Sequence, residues 1–230
     1  MDADGFHALT CLLGGLVLRR HHLLRDIFAA VGRDAGYASS TEVYEPAWTR
    51  ARQNAAGEWE VEQARLDNRF SGPPADPLVY GDVVVSHPEG RAWQAAAATR
   101  DGATAESAAK GKHGRYPAEA LPGARLVPFS VETFGRWGSE ALDFLRDAAH
   151  AACERMPQLA HLGHRGPAGL LAAWHGRLSV ALQRANAACL LQAGRVRGVA
   201  DLPGATGWEE DIEELLRNAA AFAAAGGVDA

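Results

Sequence analysis

Lysine is scarce in this 230-residue chain, cysteine is nearly absent, and no long apolar run is present. Three cysteines (Cys11, Cys153 and Cys189) are too few and too scattered for a disulfide framework, which points to a reducing compartment. The longest apolar stretches fall short of a membrane span, and the N-terminus lacks the basic-then-apolar order of a signal peptide. An intracellular protein, nuclear or cytoplasmic, with no membrane partner is therefore expected. Positive charge is not in excess either. The net charge is −5 and the pI is about 6.0, which argues against indiscriminate coating of nucleic acid but leaves room for a local basic groove. No P-loop or Rossmann loop is recognisable: Gly14-Gly15 precedes a helix but lacks the lysine and the strand before it. The shortage of lysine beside abundant alanine and arginine reads as the bias of a GC-rich genome. What remains is ordinary for a globular protein, 47% hydrophobic and 22% charged, and long enough to bury a sizeable core.

Hydrophobic periodicity predicts an amphipathic helix over Leu16 to Val31, with Gly32 and Gly36 suited to its end. A short strand is expected at Thr41 to Glu45, stopped by Pro46, then a loop from Ala47 to Gly57. Strands follow at about 59–68 and 78–86, separated by the turn-rich segment 71–77. Trp93 to Lys112 is Ala-rich and reads as helix, and Arg125 to Val131 as strand. From Ser139 the pattern turns helical: 139–156, a break at Gly163 to Pro167, a long helix at 169–193, a linker at 194–207 and a last helix near 208–225 before a loose tail. On the long helix Leu170, Leu171, Trp174, Leu178, Ala181, Leu182 and Leu190 form the apolar stripe. The expected domains are a short segment at 1–15, an α/β core at 16–138, a helical extension at 139–193, and a linker, terminal helix and tail at 194–230.

Chemistry enters with Asp67, which ends a run of alternating character, and Asp82, which opens Val83-Val84-Val85. Two carboxylates on neighbouring strands with an ammonium nearby are the minimum for metal-assisted cleavage of a phosphodiester, because Mg²⁺ takes hard oxygen ligands and the scissile phosphate gains charge as it reacts. Two aspartates and a lysine within such a span are common by chance. An aspartate inside an apolar strand says more, since burying a carboxylate is costly unless it is paired or holds a metal. Lys112 and Lys110 are the nearby ammonium groups. Arg19, Arg20, His21 and Arg25 would form a basic edge along the first helix, suited to phosphates; the competing reading is a solvated helix face. Glu132, at the end of the fourth strand, is expected to pair with an arginine. Cys153 and Cys189 are expected as core thiols. His150, His161, His164 and His175 show no ligand spacing.

The order helix, three strands, helix, strand resembles the common core of the restriction-endonuclease-like fold, which carries an aspartate on its second strand and an acid on its third. A lysine there usually follows the acid by two residues. That position is Val84, on the same strand face as Asp82. In some members the lysine has moved to the following helix, where Lys112 and Lys110 lie. Several segments further resemble the C-terminal, restriction-like endonuclease region of reverse-transcriptase open reading frames of non-LTR retrotransposons, notably Ala64-Arg65-Leu66-Asp67, Gly81-Asp82-Val83-Val84-Val85-Ser86-His87-Pro88, Arg115-Tyr116-Pro117 and Pro128-Phe129-Ser130-Val131-Glu132-Thr133-Phe134-Gly135-Arg136-Trp137-Gly138. The resemblance spans about residues 7 to 193. It implies Mg²⁺ (or Mn²⁺) ligated by Asp67 and Asp82, Lys112 or Lys110 on the scissile phosphate, phosphate contacts from Arg19, Arg20, His21, Arg25 and Arg115, DNA as substrate, and an associated reverse transcriptase domain or element RNA as partner. His7 and Cys11 resemble the second half of a zinc knuckle whose two cysteines would precede Met1, so no tightly bound zinc is expected and a truncated element is implied. The readings carried forward are a DNA-nicking endonuclease, a non-catalytic nucleic-acid-binding module of the same origin, and a fragment without function in isolation.

Overall fold

The structure is a computed structural model and describes residues 6–11, 15–72, 76–90, 93–156 and 166–196. It is a mixed α/β fold. A four-stranded sheet is built from β1 (Ala38–Tyr44), β4 (Arg65–Ser71), β5 (Leu78–Ser86) and β6 (Ala124–Glu132), in the order β1-β4-β5-β6. β1 and β4, and β4 and β5, run antiparallel; β5 and β6 run parallel. A separate hairpin of β2 (Arg50–Gln53) and β3 (Trp59–Glu62) is inserted between β1 and β4. The helices are α1 (Phe6–Thr10), α2 (Leu16–Asp34), α3 (Gln94–Ala97), α4 (Ala103–Arg115), α5 (Ser139–Arg155) and α6 (Gly166–Val196).

One face of the sheet carries the main core. α2 turns Leu23, Leu24, Ile27, Phe28 and Val31 inward, the 3.6-residue spacing of a buried stripe. Gly36, at φ 82°, closes the helix in a conformation that glycine adopts without strain. Val79 and Val83 of β5 and Val127, Phe129 and Val131 of β6 meet that stripe. The Phe28 and Phe129 rings stack with centroids 3.7 Å apart, and Phe70 and Phe144 pack around them. Gly81 is required here, because a Cβ would run into the Phe129 ring. The segment read from sequence as a helical extension contributes Phe144, Leu145, Leu178 and Leu182 to this same core. α4 packs instead on β5 and β6, beside a smaller cluster of Trp48, Leu66, Tyr80, Tyr116 and Leu126.

Several elements differ from the sequence reading. The expected loop at 47–57 contains β2, and the expected strand at 59–68 is two strands that turn a corner at Gln63 and Ala64. The hairpin escapes notice because its residues are almost all exposed, so no buried face imposes an apolar period. The expected helix at 93–112 breaks at Ala98 to Gly102, where Gly102 takes φ 73°. Leu190 is exposed rather than part of the α6 stripe, and α6 runs on through the start of the expected linker. Cys189 is buried and Cys153 packs against the main core. The last expected helix, the tail, His161 and His164 lie outside the described residues.

Candidate functional site

Three of the four expected catalytic side chains converge. Asp82 projects from β5 on the α4 side of the sheet and is 4% exposed. Lys112, in the last turn of α4, places its Nζ 2.7 Å from Asp82 Oδ2. At that distance the ammonium and the buried carboxyl oxygen are in direct, charge-assisted contact. Asp67, also buried, hydrogen-bonds with Asp82. Lys110 does not join them. It is exposed, as its position two residues from Lys112 dictates, since helix positions two apart face nearly opposite ways.

Asp67 sits where the sheet is irregular. β1 and β4 pair through Thr41 with Asn68 and again through Val43 with Leu66, skipping Asp67; between them Glu42 takes φ 56°, a left-handed conformation uncommon outside glycine. Pairing of β4 with β5 stops at Asn68 and Gly81. Beyond that point the Asp67 side chain replaces the ladder, Oδ2 accepting from Val83 N–H at 2.7 Å. Oδ1 lies 2.8 Å from His21 Nε2 of α2.

The two carboxyls differ in acidity. Burial pushes Asp82 up to about 7; Lys112 opposes this and the neighbouring Asp67 adds to it. Burial acts on Asp67 in the same sense, but hydrogen bonds from His21, Asp82 and the Val83 N–H outweigh it and hold Asp67 below the usual carboxylate range. Asp67 is thus the more acidic carboxyl of the pair. Tyr116, closing α4, is pushed up to about 12, first by burial and then by Asp82.

A hard cation fits this pair. Mg²⁺ is held by one or two carboxylates with water and phosphate oxygens completing its shell, and Asp82 Oδ2 is a buried hard oxygen met by the Lys112 ammonium, which sits on a flexible stem. Among the described residues no group of three or more His, Cys, Asp or Glu side chains is arranged to hold a metal ion, so the protein would supply two carboxylates.

The expected phosphate contacts fare differently. Arg20 is buried, bonded to Asn186 Oδ1 at 2.7 Å and to the Leu9 carbonyl at 3.0 Å, which removes it from any phosphate. Arg25 pairs with Asp26 and Glu42. Arg115 bonds the Trp48 carbonyl at 2.7 Å and pairs with Glu62. His21 is committed to Asp67, and Arg19 is exposed. Glu132 does not pair with an arginine: its Oε1 accepts from Thr104 N at 3.0 Å and Thr104 Oγ1 at 2.8 Å, capping α4. The sequence offered no signal for that cap or for the His21 contact, since both partners are distant in the chain. No helix among the described residues is long and apolar enough to cross a membrane. No protein-family model matches the chain, and no curated protein matches it.

Proposed function

We propose that the chain is a restriction-endonuclease-like domain that nicks DNA with the help of Mg²⁺ or Mn²⁺, of the kind that non-LTR retrotransposons use to prime reverse transcription. The observation that carries this reading is the Lys112 ammonium 2.7 Å from Asp82, itself hydrogen-bonded to Asp67. It supports a lysine delivered from the helix in place of the one that Val84 lacks. The element order supports the same reading: a helix, two antiparallel steps across the sheet, then a parallel step through a crossover helix, with the β2–β3 hairpin as an insertion.

Asp67 and Asp82 would hold the cation. When bound, it supplies Lewis-acid polarisation of the phosphate and a more acidic water. Lys112 is 27% exposed on a flexible stem, so its ammonium can pass from Asp82 to a phosphate oxygen and meet the charge that develops there. The apolar floor around Asp82, with Tyr80 and Tyr116, keeps bulk water from weakening that interaction. DNA is the proposed substrate, with a reverse transcriptase domain or element RNA as the proposed partner.

Nicking of supercoiled plasmid by the purified chain tests this. Wild type is expected to nick with Mg²⁺ or Mn²⁺ and not with chelator, while Asp82→Asn and Lys112→Met lose about 100-fold or more. Equal activity in wild type and Asp82→Asn, or none in wild type with either metal, counts against it. Val84 favours a second reading, a non-catalytic nucleic-acid-binding module; DNA binding by wild type without cleavage, unchanged in Asp67→Asn and Asp82→Asn, selects that one.

A further inference from the structure

We propose that His21 is a positioning residue that aims the Asp67 carboxylate at the cation site; the inference deepens the function proposed above and rests on it. Asp67 lies where both strand ladders lapse, so the sheet alone does not fix its side chain. Two donors from outside the carboxyl pair do so instead, one for each oxygen: His21 Nε2 at 2.8 Å on Oδ1 and Val83 N–H at 2.7 Å on Oδ2. A carboxylate oxygen accepts, so in this contact the imidazole donates from Nε2–H. A carboxylate offers about four lone-pair sites, and two donors on different oxygens fix its plane while leaving the others for a cation.

The helix that presents His21 is itself pinned. The adjacent Arg20 is bonded to Asn186 of α6 and to the Leu9 carbonyl, which sets the rotation of α2. One turn further on, Asn68 Nδ2 donates to the Arg25 carbonyl at 3.0 Å. Consecutive β4 residues, Asp67 and Asn68, therefore grip α2 at positions four apart, on one helix face. The charged run of α2 that reads from sequence as a phosphate-binding edge is, at His21, a strut behind a carboxylate.

Hydrogen-bond donors behind metal ligands typically govern affinity by 10–100-fold. The test is calorimetric titration of Mn²⁺ into the metal-free full chain, with thermal melts to establish that each variant is folded. Wild type is expected to bind Mn²⁺ and Asp82→Asn to lose it. His21→Leu removes the donor and His21→Asn is too short to reach Asp67, so each is expected to weaken binding about 10–100-fold, while His21→Gln, which can place an amide nitrogen near the Nε2 position, stays within about threefold of wild type. Wild-type affinity in His21→Leu and His21→Asn, or a His21→Gln variant as weak as His21→Leu, overturns the positioning role alone. Failure of wild type to bind Mn²⁺ overturns the metal site and the proposed function together with it.

Discussion

The two faces of β5 make a useful contrast. On one, Val79 and Val83 enter a core built by Phe28, Phe70, Phe129 and Phe144. On the other, Tyr80 and Asp82, the residues between and beside them, face α4 and a site that buries two carboxyls and draws in an ammonium. Residues one apart on a strand thus live in different solvents, because alternate side chains point to opposite faces. The first face gains from every contact. The second carries a desolvated acid, whose cost the packing of the first offsets.

The contrast can be broken from either side. The largest effect is expected from Phe129→Ala, which empties the centre of the apolar face and should cost about 3–5 kcal/mol in denaturant unfolding. Next is Asp82→Asn, with the opposite sign. Asp82 binds its proton more tightly folded than unfolded, so its contribution to stability is fully present below about pH 4 and is lost as pH rises through about 7. Without metal, Asp82→Asn should therefore be more stable than wild type at pH 8, by about 2–4 kcal/mol, and indistinguishable from it near pH 4, by chemical denaturation across that range. A variant destabilised at pH 8 would remove the claim that the second face is strained by its charge. The smallest effect belongs to Glu132→Ala, which strips the α4 cap for about 1–2 kcal/mol. Its sharper signature is a loss of nicking disproportionate to the loss of stability.

Much of the apolar face was legible from the chain. The valine run of β5, the Arg125 to Val131 strand and the stripe of α2 each carry an apolar pattern that burial imposes; β5 has the expected bounds, and the structure extends the other two by only a few residues. Asp67, Asp82 and Lys112 stand out as residue types, but nothing local says that they meet. Their approach depends on an antiparallel pairing and a helical crossover that only the fold supplies. Arg20 shows the limit most clearly. A charged residue within a basic helix run reads as solvated, yet it is buried because Asn186, 166 residues away, accepts its hydrogen bond. The hairpin fails for the reverse reason: Trp59 and Val61 are 71% and 69% exposed, so no core disciplines their pattern.

The cap on α4 has a consequence for how this chain tolerates change. Glu132 anchors the helix at Thr104, and Lys112, one of the only two lysines in the chain, works at the other end. The eight helical steps from Thr104 to Lys112 act as a ruler about 12 Å long with a set phase. A lysine on the strand beside Asp82 would be indifferent to the length of this helix. Here a single inserted or deleted residue would turn the ammonium about 100° around the axis and away from Asp82. The span from 104 to 112 is held to one length by the reach of a side chain.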